Sequence, residues 1–188
     1  DLKPRFDFQR FKPFLNAGNW NGVFANFPEV QHLQKKMLWL RDLLYELKDP
    51  SQLRKAETLL LSSQHYNPFL EFPREALLSF PFRNALHQKL IRVEKILSAE
   101  NRSLTFLRRD YDGDGFPEIR MGAAHLSLIL KPSEGGALVD LCHLGREWNF
   151  TNTLTRHRHY SLPQSKTPVI EDWHSRRFFQ DHFIKTPV

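Results

Sequence analysis

Near residue 101 the spacing of apolar residues changes from three or four to two, and a chain that makes this switch is confined to helices first and strands second. From Glu29, the residues Val30, Leu33, Met37, Leu40, Leu44 and Leu47 mark one face of a helix, which Asp49 and Pro50 end. Ser51 is placed to cap a second helix running to about Gln64, with Leu53, Ala56, Leu60 and Leu61 on its inner side. A third is expected from about Phe82 to Ala99, carried by Phe82, Leu86, Leu90, Val93 and Leu97, with Pro73 and Pro81 breaking or kinking the approach. Three helices joined this closely favour a bundle.

After Asn101 short alternating or β-rich segments alternate with turn residues: "LTFLR", "EIRMG", "HLSLILKP", "GALVDLCHL" and "NTLTRHRHY". In "PSEGGA", Gly135 and Gly136 can take positive φ and close a hairpin-type connection. The expected class is therefore α+β, with a helical domain over 1–100 and a β domain over 101–188. Residues 1 to 28, rich in Phe, Pro, Asn and Gly, read as an ordered irregular lead-in.

Composition narrows the functional classes. Apolar residues make up 40% and aromatics 13%, enough for a buried core, and the net charge of +6 is spread along the chain without a nucleic-acid-binding stripe. One cysteine, Cys142, cannot form an internal disulfide, so the cytoplasm is the expected compartment. No apolar run approaches the roughly 20 residues of a membrane helix. The start at Asp1 rather than Met leads us to expect a piece of a longer protein.

The stretch "DYDGDGFPEI", 110 to 119, has the spacing of a calcium loop. Asp110, Asp112 and Asp114 occupy the first three liganding positions, Gly115 the sharp turn, the carbonyl of Phe116 the next position and Glu118 the one after. Met121 stands where the strongest loops place a bidentate Glu. Crowded carboxylates repel one another and favour a Ca2+ ion; the alternative is an Asp/Gly turn whose carboxylates are solvated or cap backbone N–H groups.

His157 and His159 alternate and would share one side of a strand, a possible seat for zinc, against the plainer reading of scattered surface histidines. No Ser-His-Asp framework places a nucleophile, and no catalytic residue is assigned. Trp39, between Leu38 and Leu40, reads as core; Trp20 and Trp148, in Asn-rich surroundings, are better placed than Trp39 or Trp173 to stack on sugar rings. Arg176, Asp181 and His182 are expected to form a charged structural network.

Three anchors in order resemble glycoside hydrolase family 57, the α-amylases and 4-α-glucanotransferases. They are "NWNGVFANFPEVQHLQKKMLWLRDLL" (19 to 44), "DYDGDGFPEIRMGAAHLSLILKPSEGGALVDLCHLGREWNFTNTLTR" (110 to 156) and "DWHSRRFFQDHFI" (172 to 184). The resemblance implies the part of such a protein that follows its catalytic barrel, a helical bundle and then a partial antiparallel β-sandwich. It implies an α-glucan or maltooligosaccharide as partner, together with the absent barrel, whose two carboxyl groups would sit about 5 to 5.5 Å apart in a retaining enzyme. Two departures stand out. Between Gln64 and Arg83 the family's Trp-His-Gly centre, which helps wall the sugar cleft, is replaced by Leu70-Glu71-Phe72, and His159 stands where the family usually has a Glu. Two expectations follow: a non-catalytic scaffold portion of an α-glucan enzyme, or a carbohydrate-binding or protein-interaction module derived from that fold.

Overall fold

A computed structural model describes residues 28–64, 80–99, 103–153, 155, 172, 174 and 176–181. Helices α1 (Pro28–Leu44), α2 (Pro50–Ser63) and α3 (Phe80–Ala99) precede strands β1 (Thr105–Arg109), β2 (Glu118–Gly122), β3 (Leu126–Lys131), β4 (Ala137–His143) and β5 (Trp148–Asn149). The strands form one antiparallel sheet in the order β1-β2-β3-β4-β5, so the chain is α+β with helices first. Among the described residues no helix is long and apolar enough to cross a membrane.

The expected stripes form the core. Leu33, Met37, Leu40 and Leu44 of α1 meet Ala56 and Leu60 of α2, Leu86, Leu90 and Val93 of α3, and Ile129 of β3 in one buried cluster. Trp39 is buried with them, as its neighbours imply. Leu90 is fully buried, and its truncation to Ala is expected to cost about 2–5 kcal/mol through lost transfer energy and a cavity.

Several local expectations are corrected. Asp49, not Ser51, caps α2: its side chain accepts from Ser51 N at 2.8 Å, and Pro50, with no N–H to satisfy, takes the first helical position. Leu61 is 67% exposed because it lies one residue, or about 100°, past the face that buries Leu60. Phe82 is half exposed, and Pro81 sits harmlessly in the first turn of α3, where its missing donor is not needed. α1 ends at Leu44, with Leu47 in the following turn. The two-residue β5 was not foreseen, whereas most of "NTLTRHRHY", including His157 and His159, lies outside the described residues.

The sheet has an unusual polarity. Register aligns Arg120, Ile129 and Asp140 across β2, β3 and β4, and Ser127 with Cys142; these side chains face the helices. The opposite face carries the ladder Phe106, Met121, Leu128 and Leu141, flanked by Ile119 and Leu130. So the helix-facing side is largely polar and the outward side apolar, the reverse of an ordinary half-solvated sheet. A bulge between Ile129 and Leu130 leaves Val139 as the extra residue of β4 and brings it, with Asp140, to the helix side. The hairpin from β3 to β4 is built as expected, through a short 3-10 turn (Pro132–Glu134) and positive φ of 65° and 71° at Gly135 and Gly136. Backbone of 178–181 lies beside its far end: Leu138 N donates to Phe178 O and Asp181 N to Gly135 O.

Candidate functional site

The acidic corner joins β1 to β2. The Asp110 carboxylate accepts from Gly113 N at 2.8 Å and Gly115 N at 3.0 Å, Asp112 from Asp114 N at 3.1 Å, and Asp114 from Phe116 N at 2.8 Å. Gly113 and Gly115, at φ of 78° and 89°, make the turns that aim those N–H groups inward. Glu118, almost wholly buried, accepts from Tyr111 N at 2.7 Å, while its other oxygen has no hydrogen-bond partner. One oxygen each of Asp110, Asp112 and Glu118 lie within 4.8 Å of one another.

A cation already sits against this corner. The ammonium of Lys131, at the end of β3, pairs with Asp112, lies 2.8 Å from Asp114 and 3.1 Å from Glu134, and is 3.9 Å from the unpartnered oxygen of Glu118. Burial disfavours its charge, but the hydrogen bonds it donates to Asp112, Asp114 and Glu134 outweigh that and raise its pKa. The same lysine holds Asp114 below the usual carboxylate range. Burial pushes Glu118 up. The corner is thus a capped turn and a cation seat at once, with carboxylates suited to a hard ion wherever Lys131 gives way.

Beside it opens a cavity of about 450 Å3 between α1, α3, the ends of β2 to β4 and the loop after β5. Arg83 Nε donates to Asn152 Oδ1 at 2.9 Å, and Glu29 accepts from Thr155 N at 2.7 Å. Arg177 pairs with Glu134 at 3.0 Å. Tyr111 donates its hydroxyl to the carbonyl of His32 at 2.9 Å. Burial lowers the His87 imidazole to a pKa of about 3, so this wall residue is neutral.

Behind the cavity lies a cluster that sequence reasoning missed. Lys36 of α1, Glu94 of α3, and Asp140 and Cys142 of β4 are all wholly buried. Lys36 Nζ lies 2.5 Å from Asp140, 3.1 Å from Glu94 and 3.3 Å from Cys142 Sγ. Asn149 donates to the second oxygen of Asp140 at 2.6 Å, and Ser127 donates to Glu94 at 2.9 Å. Arg120, 3.9 Å from Glu94, stacks over the Trp39 ring at 4.6 Å. Burial works against the charge on Asp140, but Lys36, then His32 and His87, hold its pKa well below the ordinary value. Burial and then Asp140 raise the Cys142 thiol, so it stays protonated. The signal was available: His87 and Glu94 interrupt the buried stripe of α3 seven residues apart, two helical turns.

Of the aromatic candidates, Trp148 lies on β5, 38% exposed, with its ring 5.9 Å from that of Phe80 and away from the cavity. Trp20 and Trp173 lie outside the described residues, as do Leu70-Glu71-Phe72 and His182. Arg176 pairs with Asp172 at 2.6 Å and donates its backbone N–H to Thr155, while Asp181 contributes backbone contacts to the hairpin.

Comparison with known proteins agrees with the resemblance. The alpha-amylase/4-alpha-glucanotransferase C-terminal family model matches residues 110–162, starting at the acidic corner. Alpha-amylase 1 of Dictyoglomus thermophilum is 28% identical over 84% of this chain and 23% of its own length. The 4-alpha-glucanotransferase of Thermococcus litoralis is 24% identical over 98% of this chain and 30% of its own. The crystal structure of that glucanotransferase superposes with a TM-score of 0.66 at 19% identity, over 94% of this chain and 27% of that one. The chain therefore spans between 23% and 30% of the length of these relatives, and shares the glucanotransferase's fold in that part.

Proposed function

We propose, for a chain that resembles family 57 α-amylases and 4-α-glucanotransferases over most of its length and matches their carboxyl-terminal model over residues 110–162, that it is the non-catalytic scaffold portion of an α-glucan-active enzyme. Its work is to shape one wall of a glucan cleft and hold a catalytic barrel in place, with Trp20 and Trp148 as sugar-stacking positions. The observation that carries this reading is the likeness to both enzyme types, over 84% of the chain for the α-amylase and 98% for the 4-α-glucanotransferase.

The apolar outward ladder Phe106, Met121, Leu128 and Leu141 supports the finer reading of a sandwich, because a second sheet packed there would bury what one sheet leaves uncovered. The acidic corner supports a Ca2+ ion held by Asp110, Asp112, Asp114, the Phe116 carbonyl and Glu118, in competition with the Lys131 ammonium. The ion would serve as a structural clamp between β1 and β2. A single cysteine, which cannot form an internal disulfide, favours the cytoplasm as the place of action.

The replacement of the family's Trp-His-Gly by Leu70-Glu71-Phe72 favours a second reading, a carbohydrate-binding or protein-interaction module without an active parent. Two measurements test these proposals. Purified chain should release no reducing sugar from amylose, and release would refute a non-catalytic role. It should nonetheless sediment with insoluble amylose, and Trp148→Ala should weaken that; failure to sediment leaves the protein-interaction reading.

A further inference from the structure

We propose that a second cavity, at the end of β2 away from the acidic corner, binds a small aliphatic monocarboxylate through Arg120. It holds about 220 Å3 between the C-terminal ends of α1 and α3, the start of β1 and the turn from β2 to β3. That is less than the roughly 300–1,000 Å3 of ordinary small-molecule sites, so the ligand is short.

Among the described residues the Arg120 guanidinium makes no hydrogen bond. It lies 4.6 Å from the centre of the Trp39 ring, and its nearest carboxylate oxygen, on Glu94, is 3.9 Å from Nη2, beyond hydrogen-bond reach. Lys36 at 3.1 Å and Ser127 at 2.9 Å already engage that carboxylate. Five N–H donors are therefore uncommitted on a mostly buried side chain. Nε is sealed from solvent, whereas Nη1 and Nη2 are not, and the side chain keeps 16% of its surface on a wall of the cavity.

Two features hold the guanidinium in this place. Trp39 fixes its plane by stacking. Gly122 lacks the positive φ that would demand glycine, yet a Cβ there would meet Thr105 Oγ1 at 2.8 Å and Arg120 Nη1 at 3.5 Å. The missing side chain is what lets the arginine head lie over the strand.

The rest of the wall decides the ligand class. Its hydroxyls already donate elsewhere: Thr105 to Gly122 O at 3.2 Å, Ser98 to Lys95 O at 3.2 Å and Ser127 to Glu94. The guanidinium is the donor left over, and a planar acceptor with two oxygens matches its fork. Leu43, Leu47, Leu97, Leu126 and Leu144 give the wall apolar surface that a hydrocarbon tail can cover. Charge limits the anion to one. Lys36 and Arg120 face Glu94 and Asp140, two against two, and Glu46 stands exposed on the same wall. A phosphate dianion would meet these carboxylates with no second cation to hold it. A short aliphatic carboxylate brings a single charge, a planar acceptor and an apolar tail.

Hexanoate, hexanamide and inorganic phosphate are titrated calorimetrically against wild-type chain, Arg120→Lys and Ala123→Trp. The lysine keeps a charge opposite Glu94 but loses the planar fork, and the tryptophan fills the cavity from the turn between β2 and β3. Hexanoate should bind saturably with a Kd of roughly 0.1–1 mM, about tenfold tighter than the amide, and each variant should weaken it about tenfold or more. Phosphate should not compete. In side-chain NMR of wild-type chain the Arg120 Nε–H resonance, assigned by its loss in Arg120→Lys, should move with hexanoate and stay fixed with phosphate. Failure of cooperatively melting wild-type chain to bind hexanoate overturns the proposal. So does amide binding as tight as the acid's, tighter phosphate binding, or an affinity unchanged in either variant when that variant melts cooperatively. Should neither variant fold, the resonance decides: movement with hexanoate supports the site, and a fixed resonance removes it.

Discussion

Asp140 Oδ2 lies 2.5 Å from Lys36 Nζ, although 104 residues separate the two in the chain and neither side chain reaches solvent. The pair fastens α1 to β4, and Glu94 adds α3 at 3.1 Å from the same ammonium. A buried pair of this kind is weak evidence for stability, since desolvation opposes the attraction, but losing one partner strands the others. Lys36→Met is therefore expected to destabilise by about 3–5 kcal/mol in urea unfolding. Combining it with Glu94→Gln and Asp140→Asn should recover much of the loss; if the triple variant is as unstable as the single one, packing of the lysine stem rather than stranded charge explains the effect.

His87 should make stability depend on pH. Its pKa is lowered by burial to about 3, against about 6.5 in an unfolded chain, so between those values the unfolded state binds the extra proton. Stability is then whole above pH 6.5 and declines as the pH falls toward 3, by on the order of 5 kcal/mol across the window. Asp140, with its depressed pKa, adds a second loss only below the ordinary carboxylate range. Urea midpoints at pH 7 and pH 5 measure the histidine's share, and His87→Gln should flatten that interval. An equal slope in the variant would mean that other groups carry it.

How much of this was legible depended on distance along the chain. The stripes Leu33-Met37-Leu40-Leu44 and Leu86-Leu90-Val93 could be read because burial on one side imposes its own period. Four strands announced themselves in the same way, whereas Trp148-Asn149 was too short to show alternation. The cap of α2 was misplaced because Asp49 and Ser51 both flank Pro50, and only geometry chooses between them. Lys36, Glu94 and Asp140 were hidden for a deeper reason. Each is polar and would ordinarily face water; their burial depends on a meeting of α1, α3 and β4 that no local window contains. Lys131 likewise looks like an unremarkable strand end until the fold sets it against Asp112 and Asp114.

The acidic corner should respond to calcium through Lys131. Removing the ammonium with Lys131→Met leaves Asp112, Asp114 and Glu118 without their cation, so the variant is expected to melt lower than wild type in chelator. Ca2+ should then raise its melting temperature more than it raises that of wild type, because binding to the folded state stabilises by mass action and no lysine competes. Asp112→Asn should abolish the calcium effect in both backgrounds. Melting curves of Lys131→Met that do not move with Ca2+ or chelator would mean that the corner is a capped turn closed by lysine alone.

The hairpin glycines separate backbone strain from collision. Gly135 and Gly136 both have positive φ, at 65° and 71°, where a side chain costs roughly 1–2 kcal/mol. At Gly136 an added Cβ meets nothing within 4 Å, so Gly136→Ala should show that backbone cost and no more. At Gly135 the same Cβ would lie 2.5 Å from the carbonyl oxygen of Asp181, backbone that cannot swing away as a side-chain tip does. Gly135→Ala should consequently lose more stability than Gly136→Ala and also loosen the 178–181 segment. Hydrogen exchange at Leu138 N–H, which donates to Phe178 O at 2.8 Å, reads that loosening directly. Equal unfolding midpoints for the two variants, with Leu138 equally protected in both, would show that the tail does not press on the hairpin in solution.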